Sequence, residues 1–145
     1  MEITQEVLKL LENSAELAYP DECCGFIFSP KLANPSATIR GQAFWPVANS
    51  SDPQLRRRRF LVEPEDFAQA ELAAEAQGLE LTAIHHSHPD HPAEPSGEDL
   101  AKAWPFYHYL ITAVSQGQAQ ETTCWRLAAD RSGFVREPLI VLNDL

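Results

Sequence analysis

The sequence predicts a single mixed α/β domain spanning residues 1–145, a β-sheet flanked by helices, and three observations predict it. The 145 residues are 44% hydrophobic, which suffices for one well-filled core. Helix signals and short apolar runs of strand length alternate along the chain rather than segregating into halves. No repeat, low-complexity tract or linker divides it.

The elements follow in order. Residues 4 to 18 place Val7, Leu8, Leu11, Ala15 and Leu17 near one face at helical spacing, and Pro20 lies just past the end. CCGFIFS, 23 to 29, is an apolar run of strand length. SATIRGQAFWPVAN, 36 to 49, is extended but interrupted by Gly41 and Pro46, and RFLVE, 59 to 63, is a further short strand. Pro64 occupies the first position of a second helix with acids in its first turn, and Gly78 stops it. LTAIHHSH, 81 to 88, is a strand that runs into a His- and Pro-rich loop. Ser96 is placed as the N-cap of a short helix that must end before Pro105. YHYLITAVS, ETTCWRLA and GFVREPLIV supply the remaining strands.

Composition excludes several classes. A formal net charge of −10 is the wrong sign for a protein that coats nucleic acid. No apolar run is long enough to span a membrane, and an acidic, amphipathic N-terminal segment does not resemble a signal peptide. Three cysteines, Cys23, Cys24 and Cys124, make a poor disulfide framework, so a reduced, cytoplasmic protein is expected. The residues carry no signal for an oligomeric state. Arg56 to Arg59 reads either as a charged, solvated hairpin edge or as a patch that meets an acidic partner. Trp45, Trp104 and Trp125 are core or rim aromatics rather than a base-stacking platform, because no basic groove accompanies them.

The chemistry concentrates in HHSHPDHPAEPSGEDL, residues 85 to 100. His86 and His88 are two apart, so on an extended backbone both imidazoles project to one side, while His85 points to the other as a hydrogen-bonded structural residue. If the loop folds back, Asp99 in the first turn of the Ser96-capped helix supplies a third ligand. Two nitrogens and one carboxylate oxygen suit zinc and leave a position open, as in catalytic rather than closed structural sites. A hydrolytic water then needs a base near the metal, and on proximity Asp90, Glu94 and Glu98 are all candidates. Ser96, three residues before Asp99, is placed to donate to a developing oxyanion, a role compatible with its N-cap role.

The pattern His86-x-His88, seven residues, Ser96, two residues, Asp99 resembles the signature of the JAMM (MPN-plus) zinc metallopeptidases, with Pro89 and Pro95 also placed as in many members. Pro20-Asp21-Glu22-Cys23-Cys24-Gly25 is similar to the segment that carries the family's upstream glutamate. The resemblance therefore implies Glu22 as the catalytic base, Ser96 as the oxyanion donor, and one Zn2+ per chain on His86, His88 and Asp99. It implies a cytidine-deaminase-like JAMM/MPN fold, and it extends to the order of elements, including Asn49 before a turn. Beside those members the chain is expected to have neither the ubiquitin-gripping insertions of the eukaryotic enzymes, nor an N-terminal DNA-binding region, nor a fused cell-wall peptidase. It most resembles stand-alone bacterial enzymes that act on the C-terminal tail of a ubiquitin-like or sulfur-carrier protein. Two further readings are a catalytically silent protein-binding module and a peptidase of cell-wall peptides. Cys24 is expected to be a small buried strand residue.

Overall fold

The computed structural model describes residues 1–34 and 36–143. The chain runs β1 (Glu2–Thr4), α1 (Gln5–Ala18), β2 (Cys24–Pro30), β3 (Arg40–Gly41), β4 (Ala43–Val47), α2 (Pro64–Ala76), β5 (Leu79–Pro89), α3 (Gly97–Lys102), β6 (His108–Ser115), β7 (Gln118–Leu127), β8 (Phe134–Glu137) and β9 (Ile140–Leu142). Six strands form one mixed sheet in the order β4-β2-β5-β6-β7-β8, and β3-β1-β9 form a small second sheet. Within the large sheet β5 and β6 run parallel and the other neighbours are antiparallel. The expected mixed sheet with flanking helices is thus the observed architecture.

The two long helices cover opposite faces of that sheet. Val7 and Leu11 of α1 pack with Ile27, Ala83, Leu110 and Cys124. Ala70 and Ala74 of α2 pack with Phe26, Phe28, Ile84 and Tyr109 on the other face. The division follows from strand alternation, since Ala83 and Ile84 are neighbours in β5 and must face opposite ways. His86 and His88 share parity with Ile84 and therefore lie on the α2 face. His85 falls on the α1 face, where its Nε2 is 2.8 Å from Thr112 Oγ1 and the Phe44 ring meets it edge-on. Burial pushes its pKa down to about 3, so it is a neutral, structural imidazole.

Helix α1 is capped by Thr4, whose Oγ1 accepts from Val7 N at 3.1 Å. Gly78 ends α2 region with φ +71°, as its place after the last helical residue demands. Pro46 is tolerated inside β4 because β4 is an edge strand. Gly25 of β2 is required for closeness: a Cβ there would lie 2.5 Å from the Phe44 ring.

Three sequence expectations are corrected, and one element is added. RFLVE is extended but joins no ladder. Its backbone bonds go to the segment around Asn49, with Leu61 N donating to Asn49 Oδ1 and Leu61 O accepting from Ser50 N. The arginine run is accordingly a turn-rich loop and not a hairpin edge. Leu17, placed on the buried face of α1 by loose helical spacing, is 86% exposed, since it sits two residues from buried Ala15 and so on the far side of the helix. Residues 2 to 4 form a parallel strand that three residues are too few to announce by periodicity.

Candidate active site

The site forms at the C-terminal end of central strand β5. His86 is paired in register with Cys24 of β2 and Ile111 of β6, so neighbours on both sides fix its backbone. His86 and His88 are 1% and 5% exposed. After Pro89 the loop turns back, held by Asp90, whose carboxylate accepts from Tyr19 OH at 2.6 Å and from Gln116 N at 3.0 Å. Ser96 then caps α3 in a reciprocal capping box: its Oγ accepts from Asp99 N at 3.1 Å, and its own N–H donates to Asp99 Oδ2 at 2.9 Å. The cap therefore aims the carboxylate as well as starting the helix.

That same Asp99 oxygen lies 3.2 Å from His86 Nε2 and 3.1 Å from His88 Nε2, and the two nitrogens are 3.1 Å apart. The three atoms form a nearly equilateral triangle able to hold a metal ion. Bonds of about 2.0–2.2 Å to a tetrahedral zinc separate ligand atoms by roughly 3.3–3.5 Å, so the triangle needs only a slight opening. Hydrogen bonding points the same way. The Pro92 carbonyl, 2.8 Å from His88 Nδ1, can only accept, so it holds the proton on Nδ1. With Nδ1 engaged there, Nε2 is the nitrogen of His88 that faces Asp99 and is free to take a metal ion. Burial would raise the Asp99 pKa, but the His86 imidazole, through its charge and hydrogen bond, and the Ser96 N–H outweigh it and hold the carboxyl well below the ordinary range. Burial lowers the His86 pKa, with Asp99 partly opposing the shift. Two imidazole nitrogens and a carboxylate oxygen converging on one point are a donor set that zinc takes, so the residues present fit the group.

Glu22 reaches the site from the start of β2 and is 4% exposed. Its backbone is pinned on both sides, with its N donating to Arg56 O at 2.7 Å and its O accepting from Asn49 Nδ2 at 3.0 Å. Its carboxylate is not. Among the described residues Glu22 Oε1 and His86 Nδ1 are the two buried side-chain polar atoms without a partner, and both belong here. Burial, reinforced by the charge of Asp99, pushes the Glu22 pKa up to about 9. Of the nearby acids weighed from the sequence, Asp90 is committed to Tyr19 and Gln116, and Glu98 pairs with Lys102 at 2.8 Å and Arg59 at 3.8 Å. Glu94 lies at the mouth of the cleft.

Two clefts meet at the triangle. One, of about 460 Å³, is lined mostly by polar and charged residues, among them Glu22, Arg58, His88, Glu94 and Ser96. The other, of about 370 Å³, is apolar, with Phe60, Val62, Ile84, Trp104 and Tyr109 around His86 and Asp99. Phe60 stacks on the His86 ring with centroids 4.6 Å apart. Sequence reasoning missed Phe60, the Pro92 carbonyl and the Arg56 carbonyl, for which no residue-type signal exists. Cys24 is buried beside His86 in register, but its thiol is directed to the Val47 and Ala48 carbonyls at 3.6 and 3.7 Å, and burial pushes its pKa up to about 12. It is a strand residue with no free thiolate to offer.

A family model described as prokaryotic homologs of the JAB domain matches residues 4–128. The desampylase of Haloferax volcanii is 33% identical over 94 residues, covering 63% of this chain and 62% of that protein. Tail tip assembly protein K of Escherichia phage N15 is 33% identical over 99 residues, 68% of this chain but 34% of the phage protein. The chain thus spans less than two thirds of the length of either relative. Among solved structures, a protein from Salinibacter ruber superimposes with a TM-score of 0.76 at 36% identity, covering 98% of this chain and 92% of that one. A JAB1/MPN domain protein of Archaeoglobus fulgidus superimposes with a TM-score of 0.62 at 20% identity, covering 98% and 99%, a likeness of fold.

Proposed function

The chain belongs to the prokaryotic JAB-domain family, and from that premise we propose that it is a zinc metallopeptidase that hydrolyses a peptide or isopeptide bond at the C-terminal tail of a ubiquitin-like sulfur-carrier protein. One observation carries the reading: His86 Nε2, His88 Nε2 and Asp99 Oδ2 converge within 3.2 Å of one another, beside a buried carboxylate with an unpartnered oxygen. His86, His88 and Asp99 would hold one Zn2+, and bound there it would supply Lewis-acid activation of water and of the scissile carbonyl. Glu22 takes the proton of the attacking water and returns it to the leaving amine. Its environment suits both halves of that cycle, because burial favours the protonated form while a nearby cation favours the ionised one. Ser96 keeps its N-cap acceptor bond through one lone pair and turns its exposed hydroxyl proton toward the oxyanion. The loop around Asn49 and Arg56 holds Glu22, and the capping box holds Asp99, so base and ligand reach the site on separate supports.

The carrier tail is favoured as substrate by the desampylase relative, and cell-wall peptides are the competing class. A sulfur-carrier protein bearing a short C-terminal extension after its Gly-Gly tail should lose that extension in the presence of zinc and keep it after chelation. A cross-linked cell-wall peptide should remain intact. Cleavage of the cell-wall peptide alone would reassign the substrate, and no turnover of any amide by the zinc-loaded protein would make the chain a silent binding module.

A further inference from the structure

We propose that Arg58 is a specificity-determining residue that binds a carboxylate on the leaving-amine side of the scissile bond. The inference rests on the peptidase reading above and adds a feature of the substrate to it. The four arginines of the run differ in what they already do. Arg56 donates through Nε to Ser51 O at 3.0 Å, and its carbonyl holds Glu22. Arg57 lies near the Tyr19–Asp90 pair, close enough for its charge to act on both groups. Arg59 faces Glu98 at 3.8 Å. Among the described residues the guanidinium of Arg58 has no hydrogen-bond or ion-pair partner, and it borders the polar cleft that also contains Glu22, Ser96 and Glu94.

Position in that cleft decides which part of a substrate Arg58 meets. The base returns its proton to the leaving nitrogen, so the leaving residue must lie against Glu22, and Glu22 opens into the polar cleft. The products there are an amine and whatever is attached to it. Glu94 in the same cleft offers a carboxylate to the new ammonium, and Arg58 offers the complementary cation. A cleft with fixed charges of both signs fits a leaving residue that carries a carboxylate close to its amine. An unpaired arginine at the mouth of a site, in a chain of net charge −10, is set against the overall charge and is explained by such a ligand. The carboxylate has two possible sources, the free C-terminus of a leaving residue or an acidic side chain near the cleaved bond. The planar guanidinium can engage either with two parallel hydrogen bonds.

Three peptides separate the sources: a Gly-Gly-Ala acid, the matching Gly-Gly-Ala amide, and a Gly-Gly-Asp amide, each assayed for amine release by the zinc-loaded full chain. For wild type, kcat/KM should favour the acid over the Ala amide by about fivefold, the scale of a partly exposed ion pair. In Arg58→Met that ratio should fall to near one. Arg58→Lys should restore part of it, and added salt should shrink it in wild type. If the acid exceeds both amides, the C-terminal carboxylate is the ligand. If the Asp amide equals the acid and both exceed the Ala amide, a side-chain carboxylate serves as well. Equal rates on all three peptides in wild type, or an acid-to-amide ratio that survives Arg58→Met, would overturn the proposal. Calorimetric binding of the same peptides to Glu22→Gln, with and without Arg58→Met, reads the same ratio without turnover. If wild type cleaves none of the peptides, the binding ratio still decides the role of Arg58, and cleavage of the extended carrier protein decides the peptidase reading separately.

Discussion

Glu22 is the residue whose environment makes the sharpest demand. A buried carboxylate without a partner for Oε1 is costly when ionised, and its pKa is raised from 4.5 to about 9. The consequence for the metal-free protein has a definite sign. A carboxylate whose folded pKa lies above its unfolded value contributes fully to stability below the unfolded value, and the contribution is lost as pH rises toward the folded one. Metal-free Glu22→Gln should therefore match metal-free wild type at about pH 4 and become progressively more stable than it between about pH 4.5 and pH 9. Asp99 has the opposite shift but is common to both proteins, so it cancels. Urea unfolding midpoints of the two proteins across that range are the check. A constant difference at all pH values would mean that Glu22 is solvated or paired in the metal-free fold.

At the scale of the element, the segment from Asn49 to Glu63 does most to shape the site while having no regular structure. The Asn49 side chain alone makes four bonds, donating to Glu22 O and Arg59 O and accepting from Ser51 N and Leu61 N. Asn49→Ala should cost about 1–3 kcal/mol, since two part-buried and two exposed backbone groups lose their partner together. Turnover should fall as well, because Glu22 and Phe60 lose their shared support. A loss below about 0.5 kcal/mol in denaturant unfolding, the range of an ordinary surface change, would show that the segment holds itself. This segment also marks where the sequence stops being legible. His86 and His88 could be paired from strand alternation alone, and Ser96 and Asp99 from helix-start chemistry, because each pair lies within one element. Glu22 could not be chosen over Glu94 or Glu98 by proximity in the chain. It is brought in by the β2–β5 pairing, and only the family resemblance pointed to it. RFLVE failed as a strand for a related reason: its apolar alternation is real, and Phe60 and Val62 do pack on the core, but its hydrogen bonds go to a side chain that no periodicity describes.

At the scale of the molecule, the fold brings three separate segments to one end of strand β5. The sheet places His86 and His88, helix α3 turns Asp99 back onto them, and the Asn49–Glu63 segment closes over Glu22. The second small sheet lies away from this end and contributes to the core through Ile3, not to the site. The three helices were readable because each carries a start or stop signal of its own: Thr4, Pro64 with Gly78, and Ser96. The edge positions of β4 and β8 were not, since pairing order depends on contacts distant in sequence. We propose that this assembly is a zinc hydrolase in which Glu22 is the base and His86 a ligand. The most direct test is the zinc content and turnover of wild type, Glu22→Gln and His86→Ala, measured side by side on whichever carrier or peptide substrate wild type cleaves. About one zinc is expected in wild type and in Glu22→Gln, with turnover in the latter down by about a hundred- to ten-thousand-fold, the loss that follows a missing general base. Little zinc and no turnover are expected in His86→Ala. Zinc lost from Glu22→Gln, or turnover retained by it, would contradict the account.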